Sequence, residues 1–349
     1  MQLTRKTKLK LLGAVLSLGL ATPAIAEEQL TVANFGGLIQ DMVREFYFQP
    51  FAATGVKLTE DSRDYGIGVI RTKIESGSNN WDVVAAEDIE VIQGCKEGYF
   101  EKIDWSKIAA KDKLIPDAVL DCGLGEILYN MSIAYDPAKT PDGPKNWADF
   151  WDVKKWPGKR AMYKDPRDSL EAALMADGVE PKDVYKVLAT PDGVERAFKK
   201  LDELKPNILW WGNPGQSRQM LANGEAVMIA TYDSGVNAFN INEGTKNAVV
   251  HNNSIRHIDY WAVMKGTPNL ATAMKFLDFA AGADPQAKLA SKMGISVPNT
   301  DALAKVPANI QAMLSANPDN IKTALQSDAA FWLDNYDALN QRFTAWLNQ

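Results

Sequence analysis

Between Gln29 and Met264 the chain alternates two kinds of segment, and the alternation runs through twice. The first series has the apolar runs "QLTVAN", "VKLTED" and "WDVVAAE", separated by "LIQDMVREFYFQPFAATG" and "GVIRTKIESGSNN", whose apolar residues recur at helical spacing. The helical stretch "DIEVIQGCKEG" follows. The second series has "RAMYKD", "LWWGN", "AVMIATYDSG" and "NAVVHN", interleaved with helical "DSLEAALMADG", "PDGVERAFKKLDELKPNI" and "NAFNINEG". Parallel neighbours need a crossover segment, and a helix is the usual one. Strands alternating with helices therefore predict an α/β fold of mostly parallel sheet. No linker rich in Pro, Gly or Ser separates the series, so the chain is expected to cross between two lobes more than once. A cleft between lobes is where a small ligand is best enclosed. With 349 residues, 46% of them hydrophobic, the chain can fill two cores.

The first 26 residues are read apart from the fold. Arg5, Lys6, Lys8 and Lys10 precede an apolar run from Leu11 to Leu20, and Ala24-Ile25-Ala26 gives an A-x-A cut site. This pattern predicts a secretory signal peptide, with a product that is exported and free of a membrane anchor. Its removal takes the formal net charge from −6 to −10. That balance argues against nucleic acid or anionic lipid as partners and is compatible with cationic ligands. Cys95 and Cys122 are the only cysteines, and in an exported chain they read first as a disulfide, with two buried thiols as the alternative. The only histidines are His251 and His257, so no Cys/His metal set is available. Neither G-x-S-x-G, S-x-x-K, H-E-x-x-H nor a P-loop occurs, which leaves catalysis without a motif.

The segment "SIRHIDYWAVM" carries the sharpest functional signal. It reads as a buried strand, yet Asp259 sits within it, on the same face as His257 and Trp261. An ionised carboxylate there is costly without a cation or several donors. Other acids stand at strand ends, where open α/β sheets bind ligands: Glu87, Asp88, Asp165, Asp168 and Asp233. Aromatic residues accompany them: Phe35, Trp210, Trp211, Tyr232 and Trp261. Carboxylates with aromatic faces suit an organic cation, through charge-assisted hydrogen bonds and cation–π contact. Plainer readings stand beside these. Asp168 could cap a helix with Glu171 as its partner, and Asp88 could cap the next helix. Asp233 could serve a turn, and the tryptophans could be core. Gly36-Gly37 before a helix reads as a tight turn rather than as a phosphate cradle.

The segments "NWADFW", "LYNMSIAYDP", "IDYWAVMKGTPN" and "MGISVPNTDA", in this order and spacing, resemble the periplasmic solute-binding proteins of bacterial ABC importers. Among them the resemblance is to the spermidine/putrescine-binding group. It implies a type II two-lobed fold, a periplasmic monomer without cofactor, and delivery of a cationic amine to an inner-membrane ABC permease. It implies lobes of residues 27–134 with 259–303, and 135–258 with 304–349. It implies a site of Asp259 with the pair Asp165 and Asp168, the walls Phe35, Gly36 and Tyr232, the position Glu87-Asp88, and Gln326 from the C-terminal segment. Two positions depart from the group: His257 stands where a tryptophan is expected and Ile295 where a tyrosine is expected. A receptor for a zwitterion such as γ-aminobutyrate is the alternative. It would need a cation for the ligand carboxylate, with Arg63, Arg167 and Arg218 as candidates. A secreted enzyme using a carboxylate pair is the third reading.

Overall fold

The computed structural model describes residues 27–349. The expected signal peptide lies outside the described residues. Nine strands form one mixed sheet: β1 Gln29–Asn34, β2 Lys57–Ser62, β3 Val83–Glu87, β4 Leu124–Tyr135, β5 Arg160–Tyr163, β6 Ile208–Trp211, β7 Met228–Tyr232, β8 Ala248–Val263 and β9 Leu325–Gln326. Their order is β2-β1-β3-β8-β4-β7-β5-β6, with β9 beside β8. The strands of each series pair in parallel, β2 with β1, β1 with β3, β6 with β5 and β5 with β7. Helices cross between them, as the alternation requires. The antiparallel pairs all involve β4 or β8.

These two strands join the halves of the molecule. The sequence suggested a break between "NAVVHN" and "SIRHIDYWAVM", but the two form a single strand of 16 residues. The pairing slips where they meet, from Ile255 opposite Met131 to Val250 opposite Ile133. Asn253 takes φ 57 there, a conformation that Asn tolerates better than most residues.

Hydrophobic cores lie on both sides of this junction. Beside β1–β3, one face buries Leu30, Val32, Phe48, Trp261 and Phe276. The opposite face buries Ala33, Ile70, Val84, Ile258 and Tyr260. Alternation along β8 therefore sends Trp261 and Tyr260 to different cores. A third core, beside β5–β7, holds Trp147, Phe150, Leu170, Trp211 and Ile229. From the C-terminal part, Val306, Ile310 and Leu314 pack into the first core, whereas Trp332 and Phe343 of the helix Ala329–Leu347 pack into the third. Cys95 and Cys122 form a disulfide, tying the helix Asp88–Glu97 to the segment that enters β4.

Candidate functional site

Strand register builds the floor of the site. Glu87 at the end of β3 lies opposite Asp259 of β8, and Tyr129 of β4 lies opposite His257. Paired residues share a face, so two acids, a phenol and an imidazole meet there. The Tyr129 hydroxyl donates to Asp259 Oδ1 at 3.2 Å. No lysine or arginine reaches Asp259 among the described residues, although it is only 6% exposed. Burial first, and then the charges of Glu87, Glu126 and Asp88, push its carboxyl well above the usual range. Glu87 is raised to about 7, chiefly by burial, with the Arg167 charge opposing. Glu126 is raised to about 8 by burial, opposed by a hydrogen bond from Asn34. It occupies a bulge in β4, since Gly125 and Ile127 face consecutive residues of β8.

The turn after β5 supplies the opposite wall. Asp165 caps the helix Pro166–Ala176 by accepting from the Arg167 N–H at 2.9 Å, and it accepts from the Tyr336 hydroxyl at 2.8 Å. Burial raises Asp165 to about 6. The capping role expected of Asp168 thus belongs to Asp165. Asp168 instead takes φ 70, ψ −37, and its Oδ1 lies 2.7 Å from His257 Nε2. Glu171, its expected capping partner, accepts from Trp332 Nε1 at 2.7 Å and from the Tyr185 hydroxyl at 2.9 Å. Arg167 places Nη2 2.7 Å from Asp88 Oδ1 and 2.9 Å from His257 Nδ1. Its Nε–H is buried without a partner, as is Asp88 Oδ2. Burial opposes the charge of Arg167, but the surrounding groups, Asp88 and Glu87 first and then Tyr129 and Asp168, raise its guanidinium above the usual range, so it stays ionised. The cap of the helix Asp88–Glu97 is Glu87 rather than Asp88, and the Glu90 side chain accepts from the Glu87 N–H at 2.8 Å.

Aromatic rings close the sides. Tyr129 stacks with His257 at 5.4 Å between ring centroids and meets Tyr232 edge-on at 5.2 Å. Tyr163 stacks on Trp211 at 4.6 Å. Phe35 and Tyr65 stack at 4.3 Å on the side of β1. Tyr65 is 64% exposed, yet desolvation and the charges of Asp259 and Glu87 raise its phenol. Gly36, after Phe35, has φ 75 and begins a helix without a side-chain cap, as a turn residue would.

Several expected residues serve elsewhere. Trp261 is fully buried against Phe48 and Phe276 in the first core, because its position on β8 lies below the cleft. Trp210 meets Phe343 and Trp346 of the C-terminal helix edge-on, since it alternates away from Trp211 on β6. Trp211 is buried behind Tyr163 and donates to the Ala230 carbonyl at 2.9 Å. Asp233 accepts from the Asn130 N–H at 2.8 Å and from the Ser234 N–H at 2.7 Å, tying β4 to the next helix. Gln326 accepts from Arg256 Nε at 2.5 Å, and Arg256 also binds Asp117. Arg63 is committed to Glu90 and the Ala85 carbonyl. Arg218 has no ion pair among the described residues and lies beside Gly235. The sequence reading missed Tyr65, Glu126, Tyr129 and Tyr163. Tyr163 had a usable signal, as a polar-tipped aromatic ending a strand just before the Asp165–Asp168 turn. Two surface pockets, of about 410 and 420 Å³, share no residue with this group.

Two lobes joined through β4 and β8, with converging acids, rings and one guanidinium where they meet, define a type II periplasmic binding fold. The chain belongs to the bacterial extracellular solute-binding proteins, whose family pattern its residues 46–323 match. It is 40% identical over 332 residues to the gamma-aminobutyric acid-binding protein of Pseudomonas aeruginosa, covering 94% of each chain. It is 23% identical to the spermidine/putrescine-binding periplasmic protein 1 of Haemophilus influenzae, covering 78% of this chain and 75% of that one. Among solved structures it resembles an ABC transporter substrate-binding protein from Bradyrhizobium japonicum, with TM-score 0.84 and 33% identity over 92% of this chain and 99% of that one. All three relatives bind a solute or substrate by name, and the Bradyrhizobium protein is named as part of an ABC transporter. The match to a polyamine receptor is the more distant one. Among the described residues no helix is long and apolar enough to cross a membrane.

Proposed function

We propose that the protein captures a small zwitterionic amine of the γ-aminobutyrate class and delivers it to an ABC permease. The ligand ammonium would lie on Asp259 and Glu87, its carboxylate on Arg167, and its methylenes between Tyr163, Tyr232 and the Phe35–Tyr65 pair. The observation that carries this reading is a pair of opposite, incompletely satisfied groups in one dry site. Among the described residues Asp259 has no cation, and Arg167 has a buried Nε–H with no acceptor. A zwitterion supplies both deficits at once. The gamma-aminobutyric acid-binding relative supports the same class. The lobes would comprise residues 27–134 with 259–303, and 135–258 with 304–349, the stretch through Leu314 packing on the first.

The second reading, a polyamine receptor, rests on the excess of acid at the site. Glu87, Asp88, Glu126, Asp168 and Asp259 stand against one guanidinium, Arg167, which is already paired with Asp88. Calorimetric titration with γ-aminobutyrate, putrescine and spermidine separates the two. We expect γ-aminobutyrate to bind most tightly. We expect Asp259→Asn to lose at least about tenfold in affinity, because truncating one side of a desolvated charge pair costs about 2–5 kcal/mol. Preference for putrescine would shift the assignment to the polyamine reading. An Asp259→Asn variant with native affinity for every amine would remove the mechanism itself.

A further inference from the structure

His257 touches both charged residues of the turn after β5, and the geometry fixes its chemical form. A guanidinium can only donate, so Nδ1, 2.9 Å from Arg167 Nη2, must be the bare acceptor nitrogen. The proton of a neutral ring then sits on Nε2 and is donated to Asp168 Oδ1 at 2.7 Å. Tyr129 stacks on the ring and keeps it from turning. The turn is shaped for this contact. Arg167 has extended backbone, φ −63 and ψ 137, and Asp168 the disfavoured φ 70. Such a conformation in a residue other than Gly costs energy, and it persists where surrounding contacts demand it. Here it presents two consecutive side chains, one cationic and one anionic, to the two nitrogens of one ring.

The consequence falls on Arg167. Nη2 has two hydrogens, and His257 and Asp88 take both. The buried Nε–H is left over, together with Nη1, which has no hydrogen-bond partner among the described residues. We propose that His257 is a positioning residue for specificity: held by Asp168 in its Nε2–H form, it orients Arg167 so that one of its free donors, Nε–H or Nη1, receives the ligand carboxylate. This rests on the zwitterion reading above. It predicts that the imidazole governs recognition of the carboxylate end of a ligand and not of its ammonium end.

Three proteins and two ligands test it. The ligands are γ-aminobutyrate and 4-aminobutan-1-ol, which keeps the ammonium and lacks the carboxylate. His257→Leu removes the acceptor, and we expect it to weaken γ-aminobutyrate by about tenfold or more while changing the amino alcohol by less than about threefold. His257→Gln can still accept from Arg167 and donate to Asp168, and is expected to restore most of the loss. Equal weakening of both ligands by His257→Leu, or no rescue by Gln, overturns the proposal. A second measurement needs no ligand. The chain has two histidines, so ¹⁵N spectra of histidine-labelled protein, assigned with His251→Asn, report the ring directly. We expect a neutral His257 with the proton on Nε2. A proton on Nδ1, or on both nitrogens, overturns the proposal in any variant background. Wild-type protein that shows the expected tautomer but ignores γ-aminobutyrate rejects the ligand class and not the orientation of Arg167.

Discussion

At the scale of single residues the site is governed by acids that are expensive to ionise. Glu126 shows this most simply, because among the described residues its one hydrogen bond comes from a neutral amide, Asn34 Nδ2 at 3.2 Å. Its carboxyl titrates near 4.5 when unfolded and at about 8 when folded. The folded state therefore holds the proton more tightly. Its stabilising contribution is complete below the unfolded value, declines as pH rises through the interval, and is gone above about 8. Glu87 follows the same course, ending at about 7. His251 runs the other way: burial lowers it to about 4, so its contribution is complete above its unfolded value of 6.5 and is lost as pH falls toward 4. The clean window lies above that value. Between about pH 6.5 and about pH 8 the melting temperature of ligand-free protein is expected to fall. Glu126→Gln should flatten the profile in that window, as scanning calorimetry across pH would show. An unchanged slope would mean that Glu126 is ionised throughout.

Elements decide which aromatic residues can reach a ligand. Trp210 and Trp211 are neighbours in sequence, but strand alternation sends them to opposite faces of β6. Trp211 backs Tyr163, and Trp210 anchors the helix Ala329–Leu347 through Phe343 and Trp346. Trp210→Ala should therefore cost stability, about 3 kcal/mol by denaturant titration, with ligand affinity little changed. A large affinity loss at native stability would place Trp210 in the site after all. The disulfide also acts at this scale. It closes a separation of 27 residues between the helix Asp88–Glu97 and the segment that enters β4. Replacing both cysteines by Ala should lower stability by about 3–4 kcal/mol on the chain-entropy account. Asp88 and Glu87 start that helix, so weaker ligand binding is expected to accompany the loss, measurable in the same preparation by calorimetry.

For the whole molecule the informative contact is the ion pair between Asp88 and Arg167. Asp88 begins the helix after β3, and Arg167 lies in the turn that opens the helix after β5, so the pair bridges the two series of strands at 2.7 Å. With His257 and Asp168 it forms a chain across the junction. A ligand that touches both walls favours the arrangement in which they meet, to the extent that it binds that arrangement better. Removing the cross-wall pair in Asp88→Asn should expand the ligand-free protein, seen as a larger radius of gyration in small-angle scattering. Saturating γ-aminobutyrate should reverse part of that expansion. Identical scattering from both proteins, with and without ligand, would show that the pair does not control closure.

Much of this was legible in the chain itself. The order of apolar runs and helical stretches determined the α/β class, because parallel strands must be connected through crossovers. Asp259 announced itself because nothing local could cap it, turn it or neutralise it. The cysteine pair was readable from export and from the lack of metal-binding company. Tertiary structure decided the rest, for one physical reason: a side chain's role depends on what lies across the sheet, and register is not a local property. Glu87 joins Asp259 only because β3 pairs with β8, and Tyr129 joins His257 only because β4 does. Trp261 shares a face with Asp259, yet two residues further along the strand that face is already core. Sequence could nominate three arginines; packing committed Arg63 to Glu90 and left Arg167 with a donor to spare.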